Sequence, residues 1–174
     1  EEALPATFDL RRRRDRASLA MVIAVDRSGS MSMPVRPGVT KLDVANEAAA
    51  QSAMLLSAND RVGVEHVDTE PFWTLPMTSV TDPAAVAATI HHATQGGGGI
   101  YVDAALIAGY DALRREETQL KHLLLFSDGD DSEEMTQSRA LVGQALRDGI
   151  TTSIVSMGRG VYTPELEQLS RLGG

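Results

Sequence analysis

Leu19-Ala20-Met21-Val22-Ile23-Ala24-Val25, followed at once by Asp26-Arg27-Ser28-Gly29-Ser30, is the stretch that decides how this chain is read. The apolar run, β-branched at Val22, Ile23 and Val25, is too short to cross a bilayer and does not alternate between apolar and polar residues. It predicts a strand covered on both faces, the kind that parallel α/β sheets contain. In those sheets ligands gather beyond the carboxyl ends of the strands, which is where Asp26, Ser28 and Ser30 fall. One carboxylate and two hydroxyls at alternate positions, with Gly29 to let the loop turn tightly, offer only oxygen. Such a donor set suits a hard cation such as Mg²⁺, which accepts one or two carboxylates and fills its remaining positions with water or with a partner's oxygen.

The same handover from buried strand to polar loop returns at His122-Leu123-Leu124-Leu125-Phe126, which runs into Ser127-Asp128-Gly129-Asp130-Asp131. Two neighbouring buried strands that each deliver an aspartate to one sheet edge would bring Asp26 and Asp128 together. Between them, Thr40 with Asp43 three residues on predicts a capped helix carrying Leu42, Ala45, Ala49, Ala53 and Leu56. Val62 to Val67 and Phe72 to Met77 predict two strands, with Pro76 marking the second as an edge. The turn from Asp68 to Pro71 is too short for a crossover helix, so that pair is antiparallel. Further helices are predicted from Asp82-Pro83 to about Ala93, from Tyr101 to Arg115, from Gln137 to Arg147 with Gly149 as its cap, and from Thr163-Pro164 onward. Ile150 to Val155 gives a fifth strand. The architecture is α/β: a doubly wound, mostly parallel sheet with one antiparallel edge strand. Residues 1–18, with Thr7 to Leu10 and the arginine run from Arg11 to Arg16, form a charged lead-in to one domain over 19–174. The chain begins and ends like a piece of a longer protein, and after Leu172-Gly173-Gly174 one more strand is expected.

Acidic residues outnumber basic ones by 24 to 16, and the net charge of −8 argues against nucleic acid or an anionic membrane as the main partner. At 4% aromatic residues a base-stacking platform is equally poorly supplied. A chain of 174 residues without cysteine can bury a core with no disulfide or zinc, and its compartment stays open. No stretch is apolar for long enough to insert directly into a membrane.

From Leu19 to Gly174 the chain resembles von Willebrand factor type A domains of bacterial type. Asp26-Arg27-Ser28-Gly29-Ser30-Met31 is similar to the family's metal-ion-dependent adhesion site motif, and Ser127-Asp128-Gly129 to the later motif whose aspartate completes it. Asp60-Arg61-Val62-Gly63-Val64 and Gly96-Gly97-Gly98-Gly99-Ile100 fall where the family has its second strand and its glycine-rich metal loop. The resemblance implies a six-stranded sheet and a Mg²⁺ ion, or Mn²⁺ or Ca²⁺, held by Asp26, Ser28, Ser30 and Asp128. It further implies a protein partner whose acidic side chain completes the coordination, and a non-enzymatic role in adhesion or assembly. Gly98 stands where the family carries a threonine ligand, which implies weaker binding; Gly98→Thr is the substitution that would return the hydroxyl. Localisation is left unknown: the fragment is expected to be soluble, and a membrane-associated parent is one open setting.

Other readings of these residues compete. Asp26, Ser28 and Ser30 can satisfy their own turn and bind nothing, which leaves a metal-free interaction scaffold with a decayed site. Asp103 is expected at the surface or as a cap. Asp130, Asp131, Glu133 and Glu134 lack EF-hand spacing and read as a solvated loop and an acidic helix start. The adjacent His91 and His92 cannot both face one ion from a helix, and the glycine loop lacks the Lys-Ser or Lys-Thr pair of a phosphate loop. A Mg²⁺-dependent phosphohydrolase with Asp26 as nucleophile and Asp128 as metal ligand would need a lysine and a further carboxylate placed for phosphate chemistry, and neither Lys41 nor Lys121 is expected in the crevice.

Overall fold

The computed structural model describes residues 16–93, 96–130, 132–133 (backbone only) and 135–174. Residues Thr7 to Leu10, Arg11 to Arg14, Gln95, Asp131 and Glu134 therefore lie outside the described residues. In chain order the elements are β1 (Leu19–Asp26), β2 (Pro34–Arg36), β3 (Val39–Thr40), α1 (Lys41–Met54), β4 (Arg61–Val67), β5 (Pro71–Ser79) and α2 (Pro83–His91). There follow β6 (Ile100–Tyr101), α3 (Val102–Arg114), β7 (Leu120–Ser127), β8 (Ser132–Glu133), α4 (Ser138–Arg147), β9 (Ile150–Ser156) and α5 (Thr163–Leu172).

The main sheet has five strands in the order β5-β4-β1-β7-β9. Only β5 runs antiparallel, against β4, at the edge to which Pro76 assigned it. β1 sits in the middle, parallel to β4 on one side and to β7 on the other. Its apolar run is continuous because both faces are covered. Ala20, Val22 and Ala24 join a core under α3, α4 and α5 that holds Leu106, Tyr110, Leu113, Val142, Leu166 and Leu169. Ile23 and Val25 join the opposite core under α1 and α2 with Leu42, Ala45, Ala49, Val86 and Ile90. No helix among the described residues is long and apolar enough to cross a membrane.

Side chains named by the sequence start these helices. Thr40 Oγ1 accepts the Asp43 amide at 3.1 Å while Asp43 Oδ2 accepts the Thr40 amide at 2.7 Å, a reciprocal cap on α1. Asp82 accepts the amides of Ala84 and Ala85 at 2.9 and 3.3 Å and opens α2 just before Pro83. The fourth helix starts differently. Gln137 offers its cap no side-chain bond, and Asp103 reaches across from α3 to accept the Gln137 amide at 2.8 Å and the Ser138 hydroxyl. Asp103 is thus a cap, but a buried one serving a different helix. Ser132–Glu133 form a short strand pairing with Ile100–Tyr101, so Glu133 is not part of an acidic helix start, and α4 begins at Ser138, within one residue of the Gln137 expected from the sequence.

Candidate functional site

β1 and β7 pair in register up to Val25 and Phe126, so Asp26 and Ser127 emerge side by side at the carboxyl edge and Asp128 follows one residue later. Asp26, Ser28 and Asp128 are fully buried. Asp26 Oδ1 accepts the Ser28 amide at 2.8 Å, and its Oδ2 accepts the Ser127 hydroxyl at 2.6 Å. Ser127 Oγ in turn accepts the Gly129 amide at 3.2 Å, so one hydroxyl ties the two loops together. Ser28 Oγ lies 3.2 Å from Ser30 Oγ, and Ser30 donates to Asp128 Oδ1 at 3.0 Å. The four side chains singled out in the sequence therefore form one continuous cluster of oxygens. Arg27 turns away from it, with its guanidinium 3.1 Å from Asp68 and 5.5 Å above the Phe72 ring.

The hydroxyl and carboxylate oxygens lie close enough together to share one small cation, at separations that are also hydrogen-bond lengths. Ligand distances of about 2.0–2.1 Å place neighbouring oxygens roughly 2.9 Å apart, close to the 3.2 and 3.0 Å separations along Ser28, Ser30 and Asp128. Electrostatics point the same way. Burial pushes the Asp26 carboxyl up to about 6, against hydrogen bonds from Ser127 and Ser28 that lower it, and Asp128 raises it further. A positive charge beside these carboxyls would relieve that penalty. Among the described residues no three acidic, histidine or cysteine side chains converge, so this is a site of two carboxylates and two hydroxyls.

Two features work against a cation. Gly98 holds its loop on the site by accepting the Gly29 amide at 2.9 Å, but it has no side-chain oxygen to offer. Its φ of 78° is left-handed, and a Cβ there would stand 3.3 Å from the Thr69 methyl, so the loop is shaped for glycine. The second feature corrects the sequence reading. Lys41, expected outside the crevice, reaches into it from the first residue of α1, donating to Asp128 Oδ2 at 2.7 Å and lying 3.7 Å from Asp130 Oδ2. Desolvation lowers the pKa of this ammonium, but the two aspartates outweigh it and the net shift is upward. The charge is committed to those carboxylates and offers no unengaged cation for a phosphate group.

The far side of the cluster is closed by the loop after β9. Asp130 Oδ1 accepts the Val161 amide at 3.2 Å, and Gly129 O accepts that of Tyr162 at 2.9 Å. A Cβ on Gly160 would meet the Asp128 carbonyl oxygen at 2.4 Å, so only glycine allows the two backbones this approach. Ser127, quoted in the later motif without a role of its own, and Lys41 are the two site residues whose part the sequence reading did not assign. The one hint for Lys41 was a lysine at the first position of a capped helix, where acids are favoured.

The family model of the von Willebrand factor type A domain matches residues 21–131, more than half of the chain. The chain belongs to the von Willebrand factor type A domain family. Domains of this family are in general interaction modules rather than enzymes. A von Willebrand factor type A structure from Catenulispora acidiphila superposes on this VWA domain with a TM-score of 0.75 at 20% identity, covering 90% of this chain and 37% of that one. The PilB minor pilin from Streptococcus sanguinis gives 0.74 at 14% identity over 92% and 56%. The conserved hypothetical protein BatB from Bacteroides thetaiotaomicron gives 0.64 at 21% identity over 79% and 66%. These likenesses establish the fold; the VWA chain spans between about a third and two thirds of the length of those proteins. No curated protein matches it by sequence.

Proposed function

We propose that the carboxyl edge of the sheet is a divalent-cation-dependent protein-binding face. Asp26, Ser28 and Ser30 hold Mg²⁺, or Mn²⁺ or Ca²⁺ in its place, Asp128 joins directly or through water, and an acidic side chain of the partner fills an open position. The single observation that carries this reading is the convergence of the Asp26, Ser28, Ser30 and Asp128 side chains in one cluster at the carboxyl edge of the sheet, with 3.2 Å between the two serine hydroxyls and 3.0 Å from Ser30 to Asp128. The surroundings support it: Met33 and Val35 on one side and Val161 and Tyr162 on the other are exposed apolar side chains on the segments that flank the oxygen cluster. A polar anchor with apolar neighbours is the composition of a protein interface. When bound, the ion supplies a fixed positive charge; the chain's own contribution is to hold the oxygens in place from β1 and β7 and to present the surrounding face.

Calorimetric titration of Mg²⁺ and Mn²⁺ into wild type and Asp26→Asn tests the site. Binding by wild type that is lost in the variant is the expected result, and no heat from either, or from a variant without the Lys41 charge, would refute it. Lys41 on Asp128 and the glycine at position 98 favour one second reading, a metal-free scaffold that uses the same face. Capture of a partner that is indifferent to chelator would establish it. The pilin and the "aerotolerance-related membrane protein" among the structural neighbours make a membrane-associated or surface-assembled parent the setting to examine first.

A further inference from the structure

Lys41 is one of only two lysines in the chain, and it occupies the helical position least suited to a cation. The first turn of a helix carries the positive end of the macrodipole, so lysine there opposes the local preference. Residues that break a local rule mark places where another demand prevails. Here the demand is visible. The Lys41 amide donates to Met33 O at 3.0 Å and the Thr40–Asp43 cap fixes the backbone on either side, so the side chain starts from a rigid point. Its stem passes the loop at Gly158, and at 15% exposure its ammonium lies against Asp128 Oδ2.

With that contact Asp128 has partners on both oxygens. Oδ1 takes the Ser30 hydroxyl at 3.0 Å and the Asp130 amide at 2.9 Å, and Oδ2 takes Lys41. A divalent ion on the Ser30 and Asp128 oxygens would face a positive charge across a single carboxylate, where water is largely excluded and repulsion is weakly screened. Asp130 offers the ammonium somewhere to go. Its Oδ2 is already 3.7 Å away, and its other oxygen is held by the Val161 amide.

We propose that Lys41 is a built-in competitor for the cation site: its ammonium neutralises Asp128 when no ion is present, and a divalent ion binds only as Lys41 shifts towards Asp130. This rests on the cation-dependent reading above and assigns that site its control. It makes the affinity of the wild type low for reasons beyond the missing loop hydroxyl, because each binding event must also displace a charge.

The test is calorimetric titration of Mn²⁺ and Mg²⁺ into the whole chain as wild type, Lys41→Met, Lys41→Gln and Lys41→Arg, with thermal melting in chelator alongside. The two neutral variants are expected to bind Mn²⁺ at least tenfold more tightly than wild type, and Lys41→Arg to stay near it. In chelator the neutral variants should melt at lower temperature, since Asp128 and Asp130 lose their counter-charge, and added Mg²⁺ should restore the loss. Lys41→Gln keeps a hydrogen-bond donor for Asp128, so it serves should the methionine variant fail to fold. Equal affinity in wild type and neutral variants would overturn the competitor and leave the cation site standing. Absence of binding in all four would overturn both.

Discussion

Glu65 is a carboxyl side chain buried in the core away from the carboxyl edge of the sheet. It lies on β4 beside Trp73 of β5, fully buried, with its Oε1 facing Gly109 of α3, and among the described residues neither carboxyl oxygen has a hydrogen-bond partner. Burial pushes its pKa up from 4.5 to about 8. The folded protein keeps a proton that the unfolded chain sheds, so stability is fullest below the unfolded value and declines as pH rises towards 8. The slope is at most about 1.4 kcal/mol per unit. Its neighbour His66 behaves oppositely. Held neutral between Asn46 and Thr74, with burial first and the Arg27 charge second lowering its pKa to about 4, it costs stability as pH falls below 6.5. Glu65→Gln, equal in shape and never charged, should match wild type near pH 4.5 and exceed it by roughly 3–5 kcal/mol at pH 8. Urea denaturation at both values checks this, and parallel curves for the two proteins would count against it. Gly98→Thr is the other informative residue. Because φ is 78° there, a β-branched side chain should lower stability by about 1 kcal/mol or more, and with it any gain in Mn²⁺ affinity from the new hydroxyl. Tighter binding without a drop in melting temperature would show that the loop adapts.

Among elements, α4 depends on a residue outside itself. Asp103 takes both the Gln137 amide and the Ser138 hydroxyl, so Asp103→Ala leaves two donors stranded in a nearly closed space. A loss of about 2 kcal/mol is expected, with hydrogen exchange quickening first in residues 138–147. Uniform exchange along the chain would argue that α4 is held by its apolar face alone. This contact also explains what could be read in the sequence and what could not. β1, β7, the capped α1 and the Asp82-Pro83 start of α2 carry their signals within a few consecutive residues, as do Asp26, Ser28, Ser30 and Asp128, each fixed by a strand that ends beside it. Asp103 and Lys41 act across 34 and 87 residues of chain, respectively, and only packing reveals where their side chains arrive. Glu133 was misplaced for a related reason: acidic residues before a helix resemble its first turn, whereas Ser132–Glu133 pair with Ile100–Tyr101 instead.

For the molecule as a whole, a cation that binds only the folded state must add to its stability. At a hundred times the dissociation constant the gain is about 2.7 kcal/mol, which for a chain of this size raises the melting temperature by roughly 5–10 °C. Scanning fluorimetry with saturating Mg²⁺ against chelator reads this directly, and an unchanged midpoint would favour the metal-free scaffold. The place of Asp26 in the sheet has a mechanical corollary. It terminates the central strand, whose seven registered pairs to β4 and seven to β7 run along the strand's length on both sides. Tension on a partner gripped at that rim would enter along the strand axis and load both ladders in shear, so that many bonds resist together instead of peeling one by one.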